Sequence, residues 1–447
     1  MMRYFFLSII LSLITSASFA ATDIMEVFRE AVVNDATYQQ TVADTLATQE
    51  NIGISLASLL PNIGFTAKPS ANKAQNSGSV TPNLLPPNNL LRNFEMRLSV
   101  NQTIFNYAKF ANLATTASGA RQACATLNAA FQSLILRVAQ AYFNILKDEE
   151  TLNYCHANQA SLNKQYEFAK EKFIAKSITK ADFYNVEAAR ASANTSCVTA
   201  KTQLEIDKEF LRTLTNKAYQ SLASLNDDFP LVSPQPNDSE AWVHKSIQQN
   251  WTIKANQYAL QSARNNIKQQ FGGHLPTLDF EGYYDVLAQN SQNGSTLVSA
   301  GASKMRQTVV ALNLSIPLFS GGATSSQVKQ AKYQYQSAAQ QLEYSVRTTI
   351  YNIRQTYLTL ISNISKINDD KIAMKSAMLS LSATNERYQS GIGTTVDVLN
   401  QRQVVVQNQQ QYTSDRYGYI MNLLTLKNAA GTLCVDDLRA LNNWLRK

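Results

Sequence analysis

Glycine and proline are scarce in this chain of 447 residues, which contains 15 glycines and 10 prolines. This is about half of their usual share, so long uninterrupted helices are favoured over loop-rich β folds. Only 16% of the residues are charged and 45% are hydrophobic, a composition that excludes a disordered chain. The 40 basic residues are interleaved with 32 acidic residues and form no long run, which argues against a nucleic-acid partner.

Histidine is rarer still. The three histidines lie far apart, at positions 156, 244 and 274, and none has the spacing of a metal ligand. The sequence also contains no Gly-x-Ser-x-Gly motif and no glycine-rich phosphate loop. We therefore expect a protein that is not an enzyme and that binds no metal or cofactor.

The first twenty residues predict a secretory signal peptide that is cleaved after Ala20. Arg3 precedes an apolar stretch from Tyr4 to Ile14, and small residues lead to the cleavage site. A membrane anchor is the alternative, but the stretch is too short to span about 30 Å of hydrocarbon. No later window of 18 residues is free of charged and amide side chains, so we expect no transmembrane helix in the mature chain.

The chain contains an internal repeat with an offset of 215 residues. At this offset Asp182 aligns with Asp397, and Asn185 aligns with Asn400. A proline-rich segment joins the two halves, which indicates a duplicated unit. The predicted organisation is a signal peptide (1–20), a first repeat (21–216), a linker (217–238), a second repeat (239–433) and a short C-terminal segment (434–447).

Each half has the same order of elements. Residues 22–59 and 238–270 predict helices, and each is followed by two runs in which apolar and polar residues alternate with the period of a strand. Each half therefore contains one β-hairpin. The strand candidates are residues 62–73, 94–101, 277–288 and 310–316, with polar loops at 76–87 and 293–295.

A very long helix follows the first hairpin. Gly119 is the only glycine or proline in residues 108–179, which would span about 100 Å as a helix. An apolar seam in steps of three and four residues indicates a coiled coil, and the chain turns back near Lys176. A soluble helical bundle explains this seam equally well, but it does not explain amphipathic strands inserted between the helices.

The same hairpin predicts a disulfide between Cys155 and Cys197. Position 176 is midway between them, so the two cysteines lie at the same height on opposed helices, both in the seam. An exported chain meets an oxidising compartment, in which facing thiols pair. Simple burial of small apolar side chains is the alternative. We expect Cys124 and Cys434 to be unpaired.

Four strands with an apolar and a polar face suit an outer-membrane barrel. A closed barrel needs at least about eight strands, and hydrocarbon tolerates no open sheet edge. If the strands span a membrane, several chains must therefore share one barrel. A soluble sandwich is the other structure that uses this alternation.

Motifs throughout the chain resemble the TolC family of outer-membrane efflux channel-tunnel proteins. The motifs are Leu-Pro before each first strand, Ile-Pro-Leu-Phe-Ser-Gly-Gly (316–322), Tyr-Gln-Ser-Gly (388–391), Val-Asp-Val-Leu (396–399), Arg-Tyr-Gly-Tyr (416–419), Gly-Thr-Leu (431–433) and Asp-Leu-Arg-Ala-Leu-Asn-Asn (437–443). The resemblance implies a mainly α fold with four strands per chain. It further implies a homotrimer with a 12-stranded outer-membrane β-barrel, continued by a periplasmic coiled-coil barrel of helices.

This resemblance also implies the function. The chain would be the exit duct of a tripartite efflux pump or type I secretion system, working with a periplasmic adaptor and an inner-membrane translocase. A trimeric surface stalk or adhesin without transport activity is the alternative, since it shares long coiled coils and export.

The resemblance assigns residues to a periplasmic gate. It places Asp397 in an acidic ring at the narrowest point of the tunnel, where three carboxylates attract cations and favour each other's protonation. Asp397 also stands where a helix cap is expected. The family's second acidic position is Asn400 here, and its locking arginine falls at Gly393. The further gate candidates are Asp182, Asn185, Tyr388 and Gly391, of which Tyr388 has seam packing as an equal alternative.

The adaptor-docking tips are assigned in the same way. In the first half the family's small-residue motif becomes Ala175-Lys176-Ser177, in which Lys176 replaces a glycine. In the second half it becomes Ser390-Gly391-Ile392.

Overall fold

The computed structural model describes residues 21–75, 88–226, 228–291 and 302–446. The expected signal peptide (1–20) and the two polar loops of the hairpins lie outside the described residues. Contacts divide the chain into two compact units. Unit 1 comprises Met1–Gln39, Phe131–His244 and Asn352–Lys447, and unit 2 comprises Gln40–Ala130 and Lys245–Tyr351.

The two halves of the chain repeat one order of elements, as the sequence predicts. The first half contains α1 (Ile24–Asn34), α2 (Ala36–Ala57), β1 (Asn62–Gln75), β2 (Asn88–Phe105), α3 (Tyr107–Ile174) and α4 (Lys180–Thr215). The second half contains α5 (Ser239–Gln249), α6 (Trp251–Phe271), a 3-10 turn (Gly272–His274), β3 (Thr277–Ser291), β4 (Ala302–Ser315), α7 (Ala323–Gln389), α8 (Thr395–Ala429) and α9 (Val435–Asn442).

The predicted continuous helices at 22–59 and 238–270 are wrong, because each is broken once. The first break lies at Asp35, whose side-chain Oδ1 accepts a hydrogen bond from the backbone N of Tyr38 at 2.7 Å. The second lies at Asn250, which caps α6 through the backbone N of Ile253 at 3.1 Å. Both residues are good N-caps, and they are 215 residues apart.

The four strands form one antiparallel sheet in unit 2, in the order β1-β2-β3-β4. Both predicted hairpins are confirmed, and β2 pairs with β3 to join them. One row of the register runs through Ile63, Val100, Gly282 and Val310. Because side chains alternate along a strand, this row belongs to one apolar face, while Arg97 and its cross-strand neighbours form the polar face.

A buried core in unit 1 holds the helices where they meet the linker. Tyr142 is fully buried in α3, and its hydroxyl donates a hydrogen bond to the carbonyl of Ala223 at 2.8 Å. Arg137 donates two hydrogen bonds, of 2.8 and 2.9 Å, to the buried carboxylate of Asp35. Burial raises the pKa of Asp35, but the Arg137 guanidinium and the Tyr38 backbone N–H outweigh it, so the pKa lies below its usual value. This core holds α3 near its middle, against α1 and the linker.

Candidate gate and docking tips

The two long helical hairpins of unit 1 turn in the same way. The backbone N of Lys176 donates to the carbonyl of Phe173 at 3.0 Å, and the N of Ser177 donates to the carbonyl of Lys172 at 2.8 Å. In the second half, Gly391 donates to Tyr388 at 3.1 Å and Ile392 donates to Arg387 at 3.0 Å. These are the paired bonds of a Schellman C-cap, so one turn geometry is used twice.

This turn requires a left-handed residue. Lys176 has a φ of 59° and Gly391 a φ of 78°. A glycine adopts this conformation freely, whereas a side chain with a Cβ pays about 1–2 kcal/mol. The first tip therefore keeps the turn with a strained lysine, and this places a positive charge at the exposed end of the hairpin.

All six predicted docking residues are exposed. They are Ala175, Lys176 and Ser177 at the first tip, and Ser390, Gly391 and Ile392 at the second. The neighbouring Ile174 and the tip residue Ile392 are 73% and 74% exposed. Each tip therefore presents an apolar side chain next to a tight turn.

The returning helices begin with matching caps. Thr394 Oγ1 accepts a hydrogen bond from the backbone N of Asp397 at 3.1 Å, and the Asp397 carboxylate accepts one from the N of Thr394 at 3.0 Å. Thr179 and Asp182 make the corresponding contacts at α4, where Thr179 caps the Asp182 backbone N and its hydroxyl reaches the Asp182 carboxylate. Asp397 is thus a capping residue in the single chain, the alternative that the sequence left open.

Capping sets the protonation of Asp397. Hydrogen bonds from the backbone and then the side chain of Thr394 hold its pKa below the ordinary value, and the charge of Arg387 adds to this effect. The carboxylate is exposed and lies on the same helical face as Asn400, three residues away. Asn185, the counterpart of Asn400, is exposed on α4. A ring of carboxylates involves other chains and stays a prediction.

Tyr388 connects three helices at the tips. Its hydroxyl accepts a hydrogen bond from Thr395 Oγ1 at 3.4 Å, which ties the end of α7 to the start of α8. The Nζ atom of Lys172, on α3, lies 5.3 Å from the centre of the Tyr388 ring and 4.4 Å from that of Phe168. Lys172 thus bridges the two hairpins. Sequence reasoning missed it, because the two partners are far apart in the chain.

Gly393 has little room for a side chain. A Cβ added there would lie 3.2 Å from the backbone N of Tyr388. The position predicted for the latch therefore holds a glycine that is tightly packed. Two cations lie near this region: Lys172, beside Tyr388, and Arg387, whose charge acts on Asp397.

A disulfide joins α3 and α4 between Cys155 and Cys197, with their Cα atoms 5.4 Å apart. Both cysteines are buried. Cys124 and Cys434 are free thiols. At the repeat position of Cys155 the second hairpin has Asp370, whose pKa is raised to about 6 by burial and by a hydrogen bond with Asp415.

The polar face of the sheet carries an ion cluster. Arg97 lies 3.1 Å from a carboxylate oxygen of Glu95 and 3.4 Å from one of Asp285, and its guanidinium stacks 4.7 Å from the Tyr283 ring. The opposite face exposes Phe65, which is 67% accessible, and Leu312, which is also 67% accessible. The sheet thus separates a charged face from an apolar face that the described residues leave uncovered. In the described part of the chain no helix has the length and apolarity to cross a membrane.

Exposed amphipathic strands joined to long paired helices define the class of outer-membrane channels. The family model described as outer membrane efflux protein matches residues 27–217 and 242–432. The chain is 31% identical over 433 residues to outer membrane protein TolC of Escherichia coli, covering 96% of this chain and 86% of that protein. It therefore belongs to the outer membrane efflux protein family.

Other similarities agree. The alkaline protease secretion protein AprF of Pseudomonas aeruginosa is 22% identical over 420 residues, covering 94% of this chain and 86% of that protein. The CmeC outer membrane channel of Campylobacter jejuni has the same fold, with a TM-score of 0.77 at 18% identity over 96% of this chain and 91% of that one. These relatives are channels or secretion proteins rather than enzymes. The chain is an outer-membrane exit duct for efflux or type I secretion that extends into the periplasm.

Proposed function

We propose that three copies of this chain share one membrane-spanning barrel, which the long helices continue as a tunnel. The four-stranded sheet supports this best. Among the described residues, β1 and β4 each pair on one side only, and hydrocarbon tolerates no open edge. A closed barrel needs at least about eight strands, and three chains supply twelve. The repeat boundaries 21–216 and 239–433 then divide each protomer into two similar parts.

The native mass of the detergent-solubilised protein tests this assembly. We expect the mass of three protomers, recovered from the outer-membrane fraction. A mass of one or two protomers, or recovery in the soluble periplasmic fraction, contradicts the proposal. Drug hypersensitivity or lost protein secretion in a deletion strain is expected for a duct, whereas a surface stalk or adhesin predicts neither.

At the periplasmic end we place the gate around Asp397, with Asn400, Asp182, Asn185 and Tyr388 as its neighbours. We assign to Lys172 and Arg387 the latch that Gly393 lacks. The contact of Lys172 with Tyr388 supports this, because it links the two hairpins at the point where the tunnel would close.

Single-channel recording tests the latch. We expect Lys172→Ala to increase the conductance of the closed channel in planar bilayers. Lys170→Ala is the matched control, since Lys170 is exposed on the same helix. Equal conductance of the Lys172 variant and the wild type removes Lys172 from the gate.

The exposed tips would dock a periplasmic adaptor, which delivers cargo from an inner-membrane translocase. Ile174 and Ile392 supply apolar contacts there. A photo-crosslinker at Ile392 should capture the adaptor in cells, and one at Val198, which is 66% exposed far from the tip, should not. Capture at Val198 alone contradicts docking at the tips.

A further inference from the structure

Four basic side chains lie on the apolar face of the sheet, and the proposed channel function does not explain them. They are Lys73 on β1, Arg92 on β2, and Lys304 and Arg306 on β4. All four are exposed, and all lie towards the strand ends that lead into the hairpin loops, away from the helices. The lower rows of the same face are mainly apolar, with Gln102 and Thr308 as the polar members.

The strand register shows how far these cations lie above the lowest apolar row, which contains Leu278 of β3. Arg306 pairs with position 286 of the same strand and Arg92 pairs with position 290. At about 3.3 Å per residue and a strand tilt of about 40°, this corresponds to roughly 20–30 Å. The apolar band of an outer-membrane barrel is about 25 Å tall, so the cations lie at its upper border.

The chain offers no carboxylate to neutralise these charges. The sequence contains no aspartate or glutamate in residues 51–94 or in residues 286–342. Glu95 and Asp285, on the inner strands, belong to the opposite face. In the proposed barrel, a neighbouring chain would place its own β1 or β4 beside the free edges of this sheet. Those strands would add further basic residues and no carboxylate. Like charges on one face repel, so this surface favours an external anion.

A groove of about 550 Å³ lies beside Arg92 and is lined by three residues from each of β1, β2 and β3. Pro69, Ala71, Phe94 and Ala288 line it, and the small side chains among them leave the depression. Arginine binds phosphate in a bidentate manner. The groove and its border therefore fit an amphipathic molecule whose anionic head lies above apolar chains.

We propose that Lys73, Arg92, Lys304 and Arg306 bind the phosphate groups of an outer-leaflet glycolipid, whose acyl chains lie against the apolar rows below. This rests on the proposed barrel, because the apolar face must point outward to meet lipid.

The test uses purified full-length trimers and native mass spectrometry in detergent. The probes are diphosphorylated lipid A and the same lipid after enzymatic dephosphorylation. We expect the wild type to retain the phosphorylated form and to release the dephosphorylated one. Arg92→Gln combined with Lys304→Gln should lower retention about tenfold or more, since losing one charge-assisted hydrogen bond corresponds to about a tenfold change in affinity.

Two controls separate charge from folding. Lys68→Gln removes a cation from the polar face of β1 and should leave retention unchanged. Arg92→Lys combined with Lys304→Arg keeps the charge and should retain most of the binding. Equal retention by the wild type and the double glutamine variant overturns the proposal, as does full displacement of lipid by millimolar inorganic phosphate. A wild-type chain that stays monomeric in detergent instead contradicts the shared barrel.

Discussion

Removing the disulfide should loosen one helical hairpin and leave the other unchanged. Cys155 and Cys197 close a loop of 42 residues that contains the first tip. In the chain-entropy model, a crosslink that closes a loop of this length stabilises the folded hairpin by about 4 kcal/mol. The perturbation is Cys155→Ala combined with Cys197→Ala. Alanine is preferred to serine because a serine hydroxyl would be left without a hydrogen-bond partner in the buried seam.

Amide hydrogen exchange measures this effect locally. We expect residues 156–196 to lose protection by up to about a thousandfold, since 1.4 kcal/mol corresponds to a factor of ten. The tip of α7 and α8 has no disulfide, so it provides an internal reference in the same sample. Cys124→Ala is the control for loss of a thiol, since Cys124 is unpaired.

Two results would refute the reasoning. Exchange that is unchanged in residues 156–196 would mean that packing alone holds the hairpin. Recovery of Cys155 and Cys197 as separate alkylatable thiols from the outer-membrane protein would mean that the bond does not form in the cell.

Four further outcomes are expected. Asp397→Asn should weaken the block of single-channel current by multivalent cations, because it removes the carboxylate that attracts them. Lys176→Gly should raise the unfolding free energy by about 1 kcal/mol in denaturant titration, by relieving the left-handed lysine. Because burial and Asp415 raise the pKa of Asp370 to about 6, wild-type stability should fall as the pH rises from about 4 to above 6, and Asp370→Asn should reduce this fall in the same titration. Asp35→Ala should lower the free energy of unfolding by about 2–4 kcal/mol at neutral pH. In the wild type the stabilisation by the Asp35 carboxylate should be lost as the pH falls below about 4, since the pKa of Asp35 is lowered.

The local elements follow from the sequence because local patterns carry them. Alternation along the strands predicted both hairpins, the absence of helix breakers predicted the first long helix, and the returning apolar seam predicted the turn near Lys176. The breaks at Asp35 and Asn250 were missed, since Asp35 is held by Arg137, about a hundred residues away in the chain. The repeat did contain the signal: two N-cap residues at the offset of 215.

The sequence does not predict which distant elements pair with each other. Nothing in the pattern of β2 or β3 selects the other as a neighbour, because each strand is amphipathic in the same way. Lys172 likewise looks like any exposed lysine near a helix C-terminus until Tyr388 is placed beside it. Such contacts depend on the register between helices, which a single chain's periodicity does not fix.

The unequal turns at Lys176 and Gly391 have a consequence for stoichiometry. In an assembly of three chains, six tips alternate around the periplasmic end between a cationic type and a neutral type that exposes Ile392. A ring of six identical partner subunits would therefore meet two chemically different sites in strict alternation. Each partner subunit must then either bind both kinds of tip or work in pairs. In such a pair the two subunits have the same sequence, and they differ only in the kind of tip that each one contacts.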